Sequence, residues 1–188
     1  GRTCRGQYAV LLILACCVHN RHCLRQTTAL SVRGKPAAQS TTHTTSMMAE
    51  KALDGNMATF SHTDVDDPHP WWRVDLETVH CLGRITVTLR QGCCDKTRFS
   101  AAVARAGLSP NYAENRPCGL PATSEQSVKG STVVFPCDPP RVARYVTLDI
   151  DRSNPEAGDE SVLMLAEVKV EMYERGECSD IEMNCYII

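Results

Sequence analysis

The sequence has no basic excess: 20 Lys and Arg stand against 22 Asp and Glu, a formal net charge of -2. A dedicated nucleic-acid binder needs a positive patch or stripe to neutralise phosphates, so that class is excluded. No apolar run reaches the ~18 residues that a bilayer-spanning helix requires. No long stretch carries a helical apolar stripe with caps, and there is no internal repeat or low-complexity linker. The sequence also lacks a nucleophile elbow, a metal-hydrolase helix and a redox Cys-x-x-Cys, which argues against an enzyme. Zinc-type cysteine pairs are missing, as is any Asn-x-Ser/Thr acceptor for an N-glycan. Aromatics are scarce at 5%, yet the 43% apolar fraction suffices for a core, so disorder is not expected over 188 residues. That length predicts one main domain.

Cysteine is abundant instead, at 11 residues. Without metal or redox motifs, so many thiols point to an oxidising compartment and disulfides. Arg2 and Arg5 precede the apolar run Ala9–Val18, and cleavage after Cys17 would put Ala15 and Cys17 at the small-residue positions, a pattern similar to a secretory signal peptide. Residues 1–17 are therefore read as a signal remnant and 18–27 as a short N-terminal segment, with a secreted, extracellular product. Beyond Cys17, eight cysteines remain (Cys23, Cys81, Cys93, Cys94, Cys118, Cys137, Cys178 and Cys185), and an even number suits full pairing.

The body reads as all-β. Short β-rich runs at 71–77, 84–90, 131–137, 144–151 and 166–174 are separated by clusters such as DDPHP, PCDPPR and RSNPEAGDE. Ile85, Val87 and Leu89 share one strand face. Val168, Val170 and Met172 alternate with Lys169, Glu171 and Tyr173. Strands at this density predict an antiparallel β-sandwich or barrel. Trp71 and Trp72 are read as core, and Arg73 and Asp75, two apart on one strand face, as a structural ion pair.

ALSVRGKPAAQS (29–40), AEKALDGN (49–56), HPWWRVDL (69–76), the adjacent Cys93 and Cys94, RYVTLDI and AEVKV together resemble the F-type lectins, or fucolectins, of the discoidin-like group. The resemblance spans residues 28 to 174. It implies a jelly-roll-like β-sandwich with the ligand site on loops, a lectin domain over 28–175 and a Cys-containing tail over 176–188. It also implies recognition of terminal L-fucose on fucosylated glycans without chemistry, and leaves homo-oligomerisation open.

By that resemblance the sugar is held by His62, by Arg90 at the end of a strand, and by Arg98 just past the cysteines, with Lys96 as the alternative second basic donor. A planar guanidinium suits adjacent hydroxyls because it donates two hydrogen bonds at once. Adjacent cysteines usually take separate partners, but in this family they bridge each other, so Cys93–Cys94 is expected to offer a flat face to the sugar C–H groups. Phe60 is the candidate contact for the fucose methyl, and His43 lies in the first long loop. Gly92 stands where the family usually has an acidic residue that orients the basic cluster.

The same resemblance implies a structural Ca²⁺ held by Asp54, Asn56 and Glu167, Ser61, and the carbonyls of Lys51 and Ala166. Such oxygen-only donors suit a hard cation. It also implies a Cys118–Cys137 bridge. Cys23 is expected to pair with Cys178 or Cys185, with Cys178–Cys185 as the local alternative. The competing reading is a discoidin-like adhesion module that has lost fucose binding and engages protein or phospholipid, with Met47 and Met48 as the exposed apolar candidates.

Overall fold

A computed structural model describes residues 26–92, 98–158, 160–173 and 178. Among them run eight strands: β1 (Thr28–Leu30), β2 (Ala37–Gln39), β3 (Ser61–His62), β4 (Trp71–Leu89), β5 (Val103–Gly107), β6 (Arg116–Cys118), β7 (Thr132–Asp149) and β8 (Met164–Tyr173). Every pairing between them is antiparallel, in the order β1-β8-β4-β7-β5-β6, with β2 on β4 and β3 on β8. The expected all-β, discoidin-like sandwich is the fold that forms.

Two strands are longer than the sequence pattern implies. The runs 71–77 and 84–90 belong to the single strand β4, and 131–137 and 144–151 merge into β7. The expected break at PCDPPR does not occur; Asp138-Pro139 is a cis peptide inside β7. Register shifts lie between Asp75 and His80 and between Leu82 and Arg84, and Glu77 adopts φ 66°. These irregularities bend β4, which pairs β2 and the end of β7 through its first half, then the start of β7 and β8 through its second. Period-2 alternation restarts after each bulge, so the sequence shows two short runs where one strand exists.

Alternation fills the core from both halves. Trp72, Val74 and Leu76 meet Ile85, Val87 and Leu89, with Phe135, Leu148, Leu165, Val168 and Val170 completing one cluster. Trp72 is fully buried and its indole N–H donates to the Ala49 carbonyl at 2.9 Å, satisfying the polar atom that burial would otherwise strand. Trp71, expected in the core, is half-buried on the opposite face and packs against Tyr112 at 6.4 Å between ring centroids.

The outer face also corrects the expected Arg73–Asp75 pair. Asp75 accepts from Nε and Nη2 of Arg144 on the neighbouring strand, both at 2.8 Å. Arg73 lies over the rings of Trp71 and Tyr145 at 5.5 and 5.6 Å and donates to the Pro110 carbonyl. A cross-strand fork wins over a same-strand neighbour because the guanidinium meets both carboxylate oxygens at once.

Two disulfides join described residues. Cys118–Cys137 forms as expected. Cys178 pairs with Cys81 on β4, not with Cys23 or Cys185. Cys23, Cys93, Cys94, Lys96, Cys185 and residues 1–17, where a leader is expected, lie outside the described residues.

Candidate functional site

β3 ends at His62, β4 ends one residue before Arg90, and both flank the first residues of β8. The register Ser61↔Leu165, His62↔Met164 and Leu89↔Leu165 brings the two chain ends to one rim of the sandwich. The Arg90 backbone is fixed on both sides: its N–H donates to the Met164 carbonyl at 3.2 Å and its carbonyl accepts from Gly130 at 2.9 Å. Its guanidinium lies 4.0 Å from the centre of the Phe60 ring, a close cation–π contact, with Nη1 4.0 Å from Met164 Sδ.

Phe60 in turn lies 6.4 Å from the His62 ring, and His43 stacks on His62 at 4.7 Å with an interplanar angle of 23°. His43 Nδ1 is 3.6 Å from Asp64 Oδ1, which steadies the first loop over the site. Arg98 reaches the same cluster, since its charge acts on His62 together with that of Arg90. Arg98 donates from Nη2 to Glu160 at 2.9 Å, and its buried Nε has no partner among the described residues.

His62 is only 4% exposed, and its Nδ1 contacts the Thr63 carbonyl. A carbonyl can only accept, so Nδ1 carries the proton and Nε2 of the neutral ring is an acceptor. Burial holds the imidazole below its ordinary range, and the Thr63 carbonyl opposes that shift. The positive neighbours His43, Arg98 and Arg90 add to the lowering. The site thus presents two guanidiniums that donate, one imidazole nitrogen that accepts, and the Phe60 ring as an apolar wall.

Known proteins share this arrangement of elements. The family model of the NedA-like, galactose-binding domain (F5/F8 type C) matches residues 51–148. Fucolectin-1 of Anguilla japonica is 35% identical over 126 residues, covering 63% of this chain and 65% of the eel protein. Fucolectin of Anguilla anguilla is 34% identical over 128 residues, covering 62% of this chain and 78% of its own length. The chain belongs to the F-type lectin family. A crystal structure of a fucolectin from Morone saxatilis serum superimposes with a TM-score of 0.62 at 27% identity, over 79% of this chain and 50% of that one. The chain spans just under two thirds of the first eel relative and half of the bass lectin.

Within this F-type lectin, Arg90, Phe60, His62 and His43 follow one another through ring and guanidinium contacts, while Arg98 holds Glu160 and acts on His62 through its charge. Three partners were not legible in the sequence. Glu160 supplies the carboxylate that holds Arg98, while Gly92 is exposed and faces open space. Met164 and Gly130 anchor the Arg90 backbone. Nothing in the local sequence marks these three, because each acts from another element.

Several residues of the expected calcium set lie around one turn and the start of β8. A 3₁₀ turn, Ala49–Leu53, delivers Asp54, and Gly55 at φ 76° turns its N–H toward Glu167 Oε2 of β8 at 3.0 Å. Asp54 accepts from the Asn56 N–H and the Thr59 hydroxyl. Ser61 is buried and pairs with Leu165, beside Ala166 and Glu167, while Lys51 lies in the turn with Nζ 4.0 Å from Asp54. Burial pushes the Glu167 carboxyl above its ordinary range; the Gly55 N–H opposes that shift and the Asp54 charge adds to it. Two neighbouring carboxylates, with Lys51 beside Asp54, are residues of the type that fit a bound cation. Among the described residues no three His, Cys, Asp or Glu side chains meet.

The His62 geometry yields a pH prediction. Its folded-state pKa lies below the unfolded 6.5, so its contribution to stability is present above pH 6.5 and is lost as pH falls through the lower folded value. Protonation also turns Nε2 into a donor beside two arginines. Thermal stability and sugar affinity are expected to hold from pH 8 to about 6.5 and fall below it. His62→Gln should flatten the decline in melting scans. An equally steep decline in that variant would remove His62 as its cause.

Proposed function

We propose that the protein is a secreted lectin for terminal L-fucose on fucosylated glycans, binding without chemistry and using a calcium ion to fix its loops. The observation that carries the reading is the convergence of two guanidiniums, one imidazole acceptor and one aromatic wall on a single rim, in a chain whose relatives are named fucolectins. A deoxyhexose matches this set: vicinal hydroxyls take bonds from Arg90 and Arg98 and give one to His62 Nε2, while the methyl group packs on Phe60. Among the described residues no helix is long and apolar enough to cross a membrane.

Calorimetric titration with L-fucose, with D-galactose as control, tests the reading. Saturable fucose binding in excess calcium supports it. A wild-type protein that ignores fucose under those conditions hands the site to the adhesion-module alternative, for which Met48 is exposed and would be the first contact to probe, whereas Met47 is half-buried.

Asp54, Asn56, Glu167, Ser61 and the carbonyls of Lys51 and Ala166 would hold the ion. When bound it supplies positive charge that stabilises the ionised Asp54–Glu167 pair and ties the turn before β3 to β8. A ligand of the native state at a hundred times its dissociation constant adds about 2.7 kcal/mol of stability. Calcium is expected to raise the melting temperature, chelator to reverse it, and Glu167→Gln to abolish the response. A melting curve indifferent to chelator, in protein shown by metal analysis to be calcium-free, would refute the site.

A further inference from the structure

We propose that a cleft on the outer face of the β4–β7–β5 layer is a second saccharide site, built for a neutral hexopyranose with vicinal hydroxyls. The cleft has a volume of about 280 Å³ and is lined by His69, Arg105, Tyr112, Asp149, Ile150 and Asp151. It shares no side chain with the rim formed by His62, Arg90 and Arg98.

Its floor is a fixed polar pair. Register sets Asp149 beside Trp71 and Val103, and Arg105 beside Thr147, so both side chains rise on the outer face. Arg105 Nε and Nη2 donate to the two Asp149 oxygens at 2.7 and 3.4 Å, and Nη1 donates to the Asn115 carbonyl at 3.4 Å. Asp149 is 6% exposed, so the fork is held by burial as well as by charge. Each carboxylate oxygen keeps a second lone pair, and the guanidinium keeps further N–H groups. Two neighbouring hydroxyls satisfy both at once, one accepting from Arg105 and the other donating to Asp149.

The walls supply the complement. Tyr112 sits in a short 3₁₀ turn, Tyr112–Glu114, capped by the Asn111 side chain, and its ring packs on Trp71. Burial and the Asp149 charge push its phenol above the usual range, so it remains a donor. Its ring offers a face for sugar C–H groups. Opposite, His69 Nδ1 lies 3.6 Å from Asp151, and Asp151 also accepts from the Ser153 N–H and hydroxyl.

Charge decides the ligand class. Two carboxylates against one guanidinium repel an anion. Arg105 neutralises the Asp149 charge and Asp151 is held by Ser153 beside His69, so what the carboxylates offer a ligand is lone pairs for hydroxyls more than a bare charge for an amine. An uncharged polyol uses the remaining capacity without burying a new charge.

Backbone amide shifts of the full-length protein, titrated separately with methyl glycosides of D-galactose, D-mannose and D-glucose, test this. At least one glycoside is expected to shift the amides of Arg105, Tyr112 and Asp149–Asp151. Tyr112→Ala and His69→Ala, both rim substitutions, should each weaken that response about tenfold without moving the melting temperature. Shifts at His62 and Arg90 report the first site separately, so either site can fail alone. The inference is overturned if no glycoside shifts the cleft, if both variants respond like wild type, or if glucosamine or N-acetylneuraminate shifts it and the neutral glycosides do not.

Discussion

Arg90→Ala is expected to weaken L-fucose binding by about 1.5–3 kcal/mol, roughly 10- to 150-fold, on the scale of hydrogen bonds from a charged donor. For a weak monosaccharide ligand that loss reads as no binding. The fold should barely notice. Arg90 is held through its backbone, by Met164 and Gly130, and both bonds survive truncation at Cβ. What disappears is the guanidinium over Phe60, a partly exposed contact worth about 0.5–1 kcal/mol. Calorimetry against L-fucose and a melting scan of the same preparation separate the two effects. Unchanged affinity, or a collapse in melting temperature equal to the affinity loss, would show that Arg90 supports the rim and does not bind.

The second guanidinium behaves differently because it has a partner. Arg98 donates to Glu160, whereas no carboxylate stands at position 92, which is glycine. In the usual arrangement an acid two residues after the first arginine orients the cluster. Here the orienting acid comes from the loop before β8 and acts on Arg98, leaving Arg90 to be oriented by the Phe60 ring. An exposed ion pair such as Arg98–Glu160 adds little stability by itself. Its use is to fix a long side chain so that less freedom is lost when sugar binds.

Much of this was legible in the sequence because it depends on side-chain alternation. Ile85, Val87 and Leu89 share a buried face, and Val168 and Val170 point inward while Lys169 points out, as period-2 patterning requires. The placement of His62 and Arg90 at strand ends and of Asp54 in a turn agrees with the motif resemblance, which marks those positions. What escaped depends on register and bend. The merging of two runs into β4 needs the bulges at 75–80 and 82–84, which no local pattern shows. The Asp75 partner needs the pairing of Asp75 with Tyr145, which sets Arg144 alongside. The acceptor role of His62 Nε2 needs the Thr63 carbonyl in place. Cysteine parity cannot choose among pairings, so Cys81 as the partner of Cys178 was not legible.

That partner carries the largest expected stability effect. Cys81 and Cys178 close a loop of sequence separation 97, against 19 for Cys118–Cys137. In the chain-entropy picture the longer loop contributes about 4.7 kcal/mol and the shorter about 3 kcal/mol. Cys81→Ala with Cys178→Ala should therefore lower the melting temperature by roughly 10–19 °C, at the 2–4 °C per kcal/mol typical of a chain this size. Opening Cys118–Cys137 should cost about two thirds as much. Cys81 and Cys178 are buried at 9% and 8% exposure, so alanine leaves only a small void and the loss reports mainly the lost crosslink. Fucose affinity measured well below the melting transition should stay at the wild-type value, because Cys81 pairs with Tyr173 at the far end of β8 from Met164 and the sugar rim. A smaller drop for the long loop than for the short one would overturn the entropic account. A parallel loss of fucose binding in the folded variant would show that the bridge positions the site as well as closing the chain.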